Sequence, residues 1–278
     1  MALYNVERPH DFSHVVGQIP TVKILSRDLL KKNIKHAYLF IGVRGTGKTT
    51  IARIFSEAVN CHHPQADGSP CGSCPSCKAI RSGSSVDVYE LDAASNNSVD
   101  DIRNILEKVS YTPLEKYKVF IIDECHMLST SASNALLKCL EEPPANVIFI
   151  LCTTEKHKVL PTIISRCSCH EFEKISSVEI HKHLAEICQK YSVTYENKAL
   201  AIISKAANGG MRDALSILDK VYPSGSISTD DKDVFHRSVL RNNLFTRGTR
   251  EIVCHNKQRM LIGGLLCKGN DPFPRIFR

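Results

Sequence analysis

Residues 37–49 read Ala-Tyr-Leu-Phe-Ile-Gly42-Val-Arg-Gly45-Thr46-Gly47-Lys48-Thr49, an apolar run broken by a glycine-rich turn that ends in Lys-Thr. The run suits a strand buried on both faces, as in a parallel sheet. The turn fits G-x-x-x-x-G-K-[ST], and Lys48–Val59 continues with Ile51, Ile54, Phe55 and Ala58 at helical spacing. Strand, loop and helix in that order make a phosphate cradle. Glycines let backbone amides turn inward, and the helix N-terminus adds a field that favours an anion. Lys48 then reaches the outer phosphates, and the Thr49 hydroxyl ligates Mg²⁺. Gly42, Gly45, Thr46, Gly47, Lys48, Thr49 and Thr50 are the candidate nucleotide-binding residues.

Outward from the loop, apolar runs and helical patterns alternate. Val86–Leu91, Lys118–Asp123, Val147–Cys152 and Cys169–Phe172 read as further strands. Ser98-Val-Asp-Asp101 has the form of a capping box before a helix carrying Ile102, Ile105, Leu106 and Val109. Ala132–Leu140 reads as a helix stopped by Pro143-Pro144. This alternation predicts an α/β fold with a parallel sheet flanked by helices, over residues 1–174. After Lys174 only helical spacing remains, in three segments and with no strand signal, so 175–235 is expected to form a small helical domain.

The strand Val119-Phe-Ile-Ile-Asp123-Glu124 ends in two acids. Asp123 can hold magnesium through water. Glu124 can orient and deprotonate an attacking water, which a hydrolase needs.

Four of the twelve cysteines follow the spacing Cys61-x9-Cys71-x2-Cys74-x2-Cys77. Turns at Pro70, Gly72 and Pro75 would aim four thiolates at one centre, which suits tetrahedral zinc. Some iron–sulfur sites also begin C-x2-C-x2-C, but Lys-Ala-Ile-Arg follows Cys77 and the pattern lapses. His62 or His63 could replace Cys61 as ligand. The other eight cysteines are scattered and read as free thiols.

The chain has 278 residues, 42% hydrophobic and 23% charged, enough for a buried core. The net charge is +7, yet residues 236–278 alone hold nine Lys/Arg against two acids, so the first 235 residues are neutral. Net charge is therefore no evidence of nucleic-acid binding. The N-terminus lacks a basic start followed by an apolar stretch, and no apolar run approaches the roughly 18 residues of a membrane span, so a cytoplasmic protein is expected.

The order of motifs carries a resemblance. Arg8-Pro9, Phe12 and Val15-Val16-Gly17-Gln18 precede the phosphate loop and the four cysteines. Leu91-Asp92-Ala93-Ala94-Ser95-Asn96, Asp123-Glu124-Cys125-His126 and Leu140-Glu141-Glu142-Pro143-Pro144 follow. Thr153-Thr154, Ser165-Arg166-Cys167 and Gly210-Met211-Arg212-Asp213 complete the series. Over about residues 3–222 the chain resembles the gamma/tau subunits of bacterial DNA polymerase III, ATPases of the sliding-clamp loader in the AAA+ class. The resemblance implies an AAA+ domain with an inserted four-cysteine zinc module (about 61–77) and a helical lid. It implies ATP, Mg²⁺ and Zn²⁺. Lys48, Thr49, Asp123 and Glu124 would be the two Walker motifs. Thr153, with Thr154 beside it, would be the first sensor. Arg166 would be a finger acting on a neighbour's ATP, and Arg212 a second sensor from the lid. Arg8, Val16 and Gly17 would lie by the adenine. The implied partners are the other subunits of a hetero-pentamer, a ring clamp and primed DNA. No polymerase active site is implied.

From spacing alone, Arg166 and Arg212 read equally well as solvated arginines, or Arg212 as one paired with Asp213. A non-hydrolysing subunit of the same assembly is the alternative function, and a branch-migration motor a third that the zinc module disfavours. Residues 236–278 depart from the family and are expected to be an atypical basic tail in place of its collar domain, from a shifted reading frame or decayed copy, or else a genuine anion-binding tail.

Overall fold

The computed structural model describes residues 2–96, 98–221 and 226–228, and two short strands at 251–253 and 259–261. Five parallel strands form the central sheet: β1 (Ala37–Gly42), β2 (Val88–Asp92), β3 (Lys118–Asp123), β4 (Val147–Thr153) and β5 (Ser168–Phe172), in spatial order β2-β3-β4-β1-β5. β1, β3 and β4 lie inside the sheet and are buried along almost their whole length, which is why they read as unbroken apolar runs.

Residues alternate between faces along each strand, and the two faces feed two cores. Leu39, Phe120, Ile122, Phe149 and Leu151 pack with Ile102 of α5 (Val99–Val109) and Leu136 of α6 (Thr130–Glu141). Tyr38, Phe40, Ile121 and Ile150 pack on the other face with Ile51 and Phe55 of α3 (Lys48–Asn60). α2 (Ile19–Leu30) adds Leu25 to that second core. α4 (Pro75–Ser82) packs on α3, and the short α7 (Pro161–Ile164) precedes β5. Gly42 is required where β1 meets β5, because a Cβ there would lie 2.5 Å from the Phe172 carbonyl oxygen.

The lid packs α8 (Ser177–Lys190), α9 (Asn197–Ala206) and α10 (Met211–Val221) around Ile180, Leu184, Leu200, Ile203, Leu215 and Leu218. A capping box between Ser176 and Glu179 starts α8. Leu3, in the four-residue α1 (Leu3–Val6), is buried in this lid core, whereas Phe12 is buried in the sheet core. The N-terminal segment therefore straps lid to base.

Several expectations shift. The lid does contain strands: Thr194–Tyr195 pairs in parallel with Ser226–Ile227, two residues each, too short to show alternation. β4 runs to Thr153, so Thr153 ends the strand rather than following it. Pro75 opens α4 instead of forming a turn. The second strand begins at Val88, not Val86. The tail expected over 236–278 lies outside the described residues, save an antiparallel pairing of 251–253 with 259–261. Among the described residues, no helix is long and apolar enough to cross a membrane.

Candidate nucleotide site and cysteine centre

Sheet, lid and N-terminal strap line an open cavity of about 480 Å³, a ligand-sized volume. Gly45, Thr46, Gly47, Lys48, Thr49 and Thr50 line it, together with Asp123 and Glu124 from the end of β3. Arg8 and Val16 line it from the strap, and Arg212 from α10. Gly42, Gly17, Thr153 and Arg166 do not. Gly17 instead packs its left-handed turn (φ 69°) against Ile175.

Gly45 (φ 81°) and Gly47 (φ 99°) both hold the left-handed conformation, so the loop curls as a phosphate cradle requires. An added Cβ on Gly47 would touch nothing within 4 Å, so its backbone angle, not crowding, calls for glycine. The Thr46 hydroxyl pins the loop by donating to Val43 O at 2.9 Å. Lys48 is buried, and its ammonium donates to Gly42 O at 2.8 Å and Val43 O at 3.1 Å. Burial pushes the Lys48 pKa down, against the opposing pull of Cys152, Glu124 and Asp123.

Thr49 Oγ1 donates to Asp123 Oδ2 at 2.6 Å. A hydroxyl and a carboxylate at that separation are hard oxygen donors close to the spacing of neighbouring ligands on Mg²⁺, roughly 2.9 Å for octahedral bonds of 2.0–2.1 Å. The pair therefore fits magnesium. Glu124 follows in a left-handed turn (φ 48°), its amide donating to Asp123 Oδ1 at 2.9 Å. Its Oε2 accepts the Thr154 hydroxyl at 3.0 Å. Thr153 faces elsewhere: its Oγ1 lies 3.0 Å from His126 Nδ1 and accepts the Glu155 amide at 3.0 Å.

The lid touches the loop itself. Met211 N donates to Gly45 O at 2.9 Å, and the Arg212 guanidinium sits 4.9 Å from the Tyr4 ring centroid. Arg166 is held away from the cavity by Glu141 Oε1 at 2.8 Å and Thr162 O at 2.9 Å.

Three residues escaped the sequence reading. Tyr4 has no motif. Asp92 lines the cavity and pairs in register with Asp123; it stood within a quoted motif but received no chemistry. His126 stood within a quoted motif but received no chemistry.

The sulfurs of Cys61, Cys71, Cys74 and Cys77 all lie within 4.8 Å of one another. Cys61 follows α3, Cys74 caps α4 and Cys77 lies in its first turn. Backbone amides donate to the sulfurs, from Cys71 to Cys61 at 3.3 Å and from Cys74 to Cys71 at 3.4 Å. Amides of Ser73 and Cys74 bring the Cys71 thiol down to about 5, whereas burial raises those of Cys61 and Cys77. Four converging thiols with amide support fit a tetrahedral zinc. Cys61, not a histidine, completes the set: His62 is turned to Glu115 at 2.9 Å.

Two sequence profiles match the chain. One, described as "DNA polymerase III, delta subunit", covers residues 17–176. The other, "DNA polymerase III clamp loader subunit, ATPase lid domain", covers 179–225. The tau subunit of Bacillus subtilis DNA polymerase III is 54% identical over 228 residues, 81% of this chain and 40% of the relative. The tau/gamma subunit of Haemophilus influenzae is 44% identical over 219 residues, 78% of this chain and 32% of the relative. The gamma subunit of Buchnera aphidicola is 41% identical over 228 residues, 82% of this chain and 61% of the relative. The chain thus spans less than two thirds of the length of each. Among solved structures, the Holliday junction branch migration motor RuvB of Thermotoga maritima superposes with a TM-score of 0.61 at 19% identity, over 84% of this chain and 72% of RuvB. That likeness shows a shared fold and no more. With profiles spanning base and lid and with tau and gamma relatives at these identities, the chain belongs to the clamp-loader family of DNA polymerase III, on its gamma/tau branch.

Proposed function

We propose that the chain binds and hydrolyses ATP as a clamp-loader subunit of a DNA polymerase III holoenzyme. The observation that carries this reading is the Thr49–Asp123 hydrogen bond, with Glu124 beside it, in a cavity lined in part by the lid. The triphosphate would lie on the amides of Gly45–Lys48, with Lys48 beside its outer oxygens. Mg²⁺, on Thr49 and Asp123, would neutralise charge developing on those oxygens. Glu124 would take a proton from the attacking water. Arg212, joined to the loop through the Met211 amide, would report the nucleotide to the lid, and Thr153 with Thr154 would do so to the end of β4. Arg8, Val16 and Gly17 would border the base. Arg166 would serve a neighbouring subunit's site. Residues 1–174 would be the base and 175–235 the lid.

Zn²⁺ would stiffen the module of Cys61, Cys71, Cys74 and Cys77 without chemistry of its own. The partners would be the other subunits of a hetero-pentamer, a sliding clamp and primed DNA, in the cytoplasm. ATP would draw lid and base together, and hydrolysis would release them.

The test is ATP hydrolysis by the chain with its partner subunits, clamp and primed DNA, for wild type and Lys48→Ala. Loss of hydrolysis and of ATP binding in the variant is the expected result. Equal rates would remove the reading.

A further inference from the structure

We propose that His126 is a positioning residue that fixes the Glu124 carboxylate for hydrolysis; this rests on the reading of Glu124 as the base. Glu124 turns left-handed, and the 3₁₀ turn Cys125–Met127 brings the His126 ring back to it. The ring is only 5% exposed, with Nδ1 3.4 Å from Glu124 Oε2 and Nε2 3.4 Å from Glu155 Oε1. Nδ1 also lies 3.0 Å from Thr153 Oγ1. The ring thus lies between two carboxylates, with its Nδ1 hydrogen-bonded to the Thr153 hydroxyl.

These contacts join two elements. Oε2 of Glu124 is met both by the Thr154 hydroxyl at 3.0 Å and by His126. Glu155 is in turn anchored by Lys158 at 2.9 Å, and its amide donates to Thr153 Oγ1 at 3.0 Å. One oxygen of Glu124 is thus hydrogen-bonded to the segment after β4 and flanked by the ring from the turn after β3, so both elements border the carboxylate. A side chain serving only to fill this space would be apolar. An imidazole among two carboxylates and a hydroxyl is suited to orienting them. The consequence is geometric: a base displaced by about 1 Å can cost about 10²-fold in rate while leaving ground-state binding intact.

The test uses the full chain in its assembled complex, with single-turnover hydrolysis, ATP affinity and melting temperature measured together. His126→Phe keeps the ring volume and removes every polar contact. His126→Asn retains polar atoms near the position of Nδ1. His126→Phe is expected to slow hydrolysis about 10- to 100-fold with ATP affinity within about twofold of wild type. His126→Asn should recover most of the rate. Glu155→Ala, at a partly exposed position, removes the Nε2 partner without disturbing the core and should slow hydrolysis about 3- to 10-fold. That variant decides the matter if His126→Phe does not fold. An unchanged rate in His126→Phe, equal slowing in Phe and Asn variants, or loss of ATP affinity in step with rate would overturn the proposal. So would an unchanged rate in Glu155→Ala. Glu124→Gln runs alongside: if it hydrolyses normally, the base reading itself fails, whereas an inactive Glu124→Gln beside a fully active His126→Phe rejects only the role of His126.

Discussion

Thr49 Oγ1 and Asp123 Oδ2 lie 2.6 Å apart, so the first turn of α3 is hydrogen-bonded to the last residue of β3. Both groups would turn to the same cation. Thr49→Val keeps the shape, removes the hydroxyl and leaves Asp123 with one fewer donor. The Mg²⁺ concentration for half-maximal hydrolysis should rise about tenfold or more. A magnesium titration at saturating ATP measures it; an unshifted curve would take Thr49 out of the metal site.

Arg166 is paired with Glu141 at 2.8 Å, outside its own cavity. If it acts across a subunit boundary, Arg166→Ala should bind ATP as tightly as wild type. Hydrolysis by the assembled complex should nevertheless fall by about 10³-fold or more. Matching rates in assembled wild type and variant would return Arg166 to a surface ion pair, which contributes little.

Glu7 ties the N-terminal strap to the lid, accepting from Lys190 at 2.8 Å and from Tyr191 Oη at 2.5 Å. Burial raises the Glu7 pKa, but the hydrogen bonds from Lys190 and Tyr191 outweigh it and hold the carboxyl below its ordinary 4.5. Its stabilisation is therefore present above pH 4.5 and is lost as pH falls through the lowered value. The bond to Glu7 raises Lys190 above 10.5, so that partner contributes below pH 10.5 and is lost as pH climbs through the raised value. Glu7→Gln should lower the melting temperature by a nearly constant amount between these limits, with the gap closing outside them. A gap independent of pH would show that the carboxylate charge is irrelevant.

The phosphate loop was legible because its chemistry is local: a glycine turn between strand and helix needs no distant partner. Asp123 and Glu124 were legible because apolar residues run straight into them. Other features depend on contacts that no local pattern encodes. Glu7 and Lys190 are 183 positions apart, and α1 is four residues long. The pairing of Thr194–Tyr195 with Ser226–Ile227 offers too few residues for alternation. The cysteine spacing announced a cluster of four sulfurs, yet Pro75 read as a turn, since proline serves equally as a turn residue and as a first helical residue. His126 was visible only as a letter beside two acids; its role depends on β4 lying next to β3.

The cysteine centre makes a separate prediction. Cys77→Ser removes one of four converging sulfurs and should lower bound zinc from about one per chain to near zero, as ligand loss does at structural sites. Metal analysis of purified protein measures this. Zinc retained at full occupancy in Cys77→Ser would place the metal elsewhere or show that three thiols suffice.

The most direct test of the whole account is single-turnover ATP hydrolysis by the assembled complex carrying Glu124→Gln, with ATP affinity measured on the same preparation. The account expects affinity unchanged and the rate lower by about 10²- to 10⁴-fold. Hydrolysis at the wild-type rate with Gln at position 124 would contradict it.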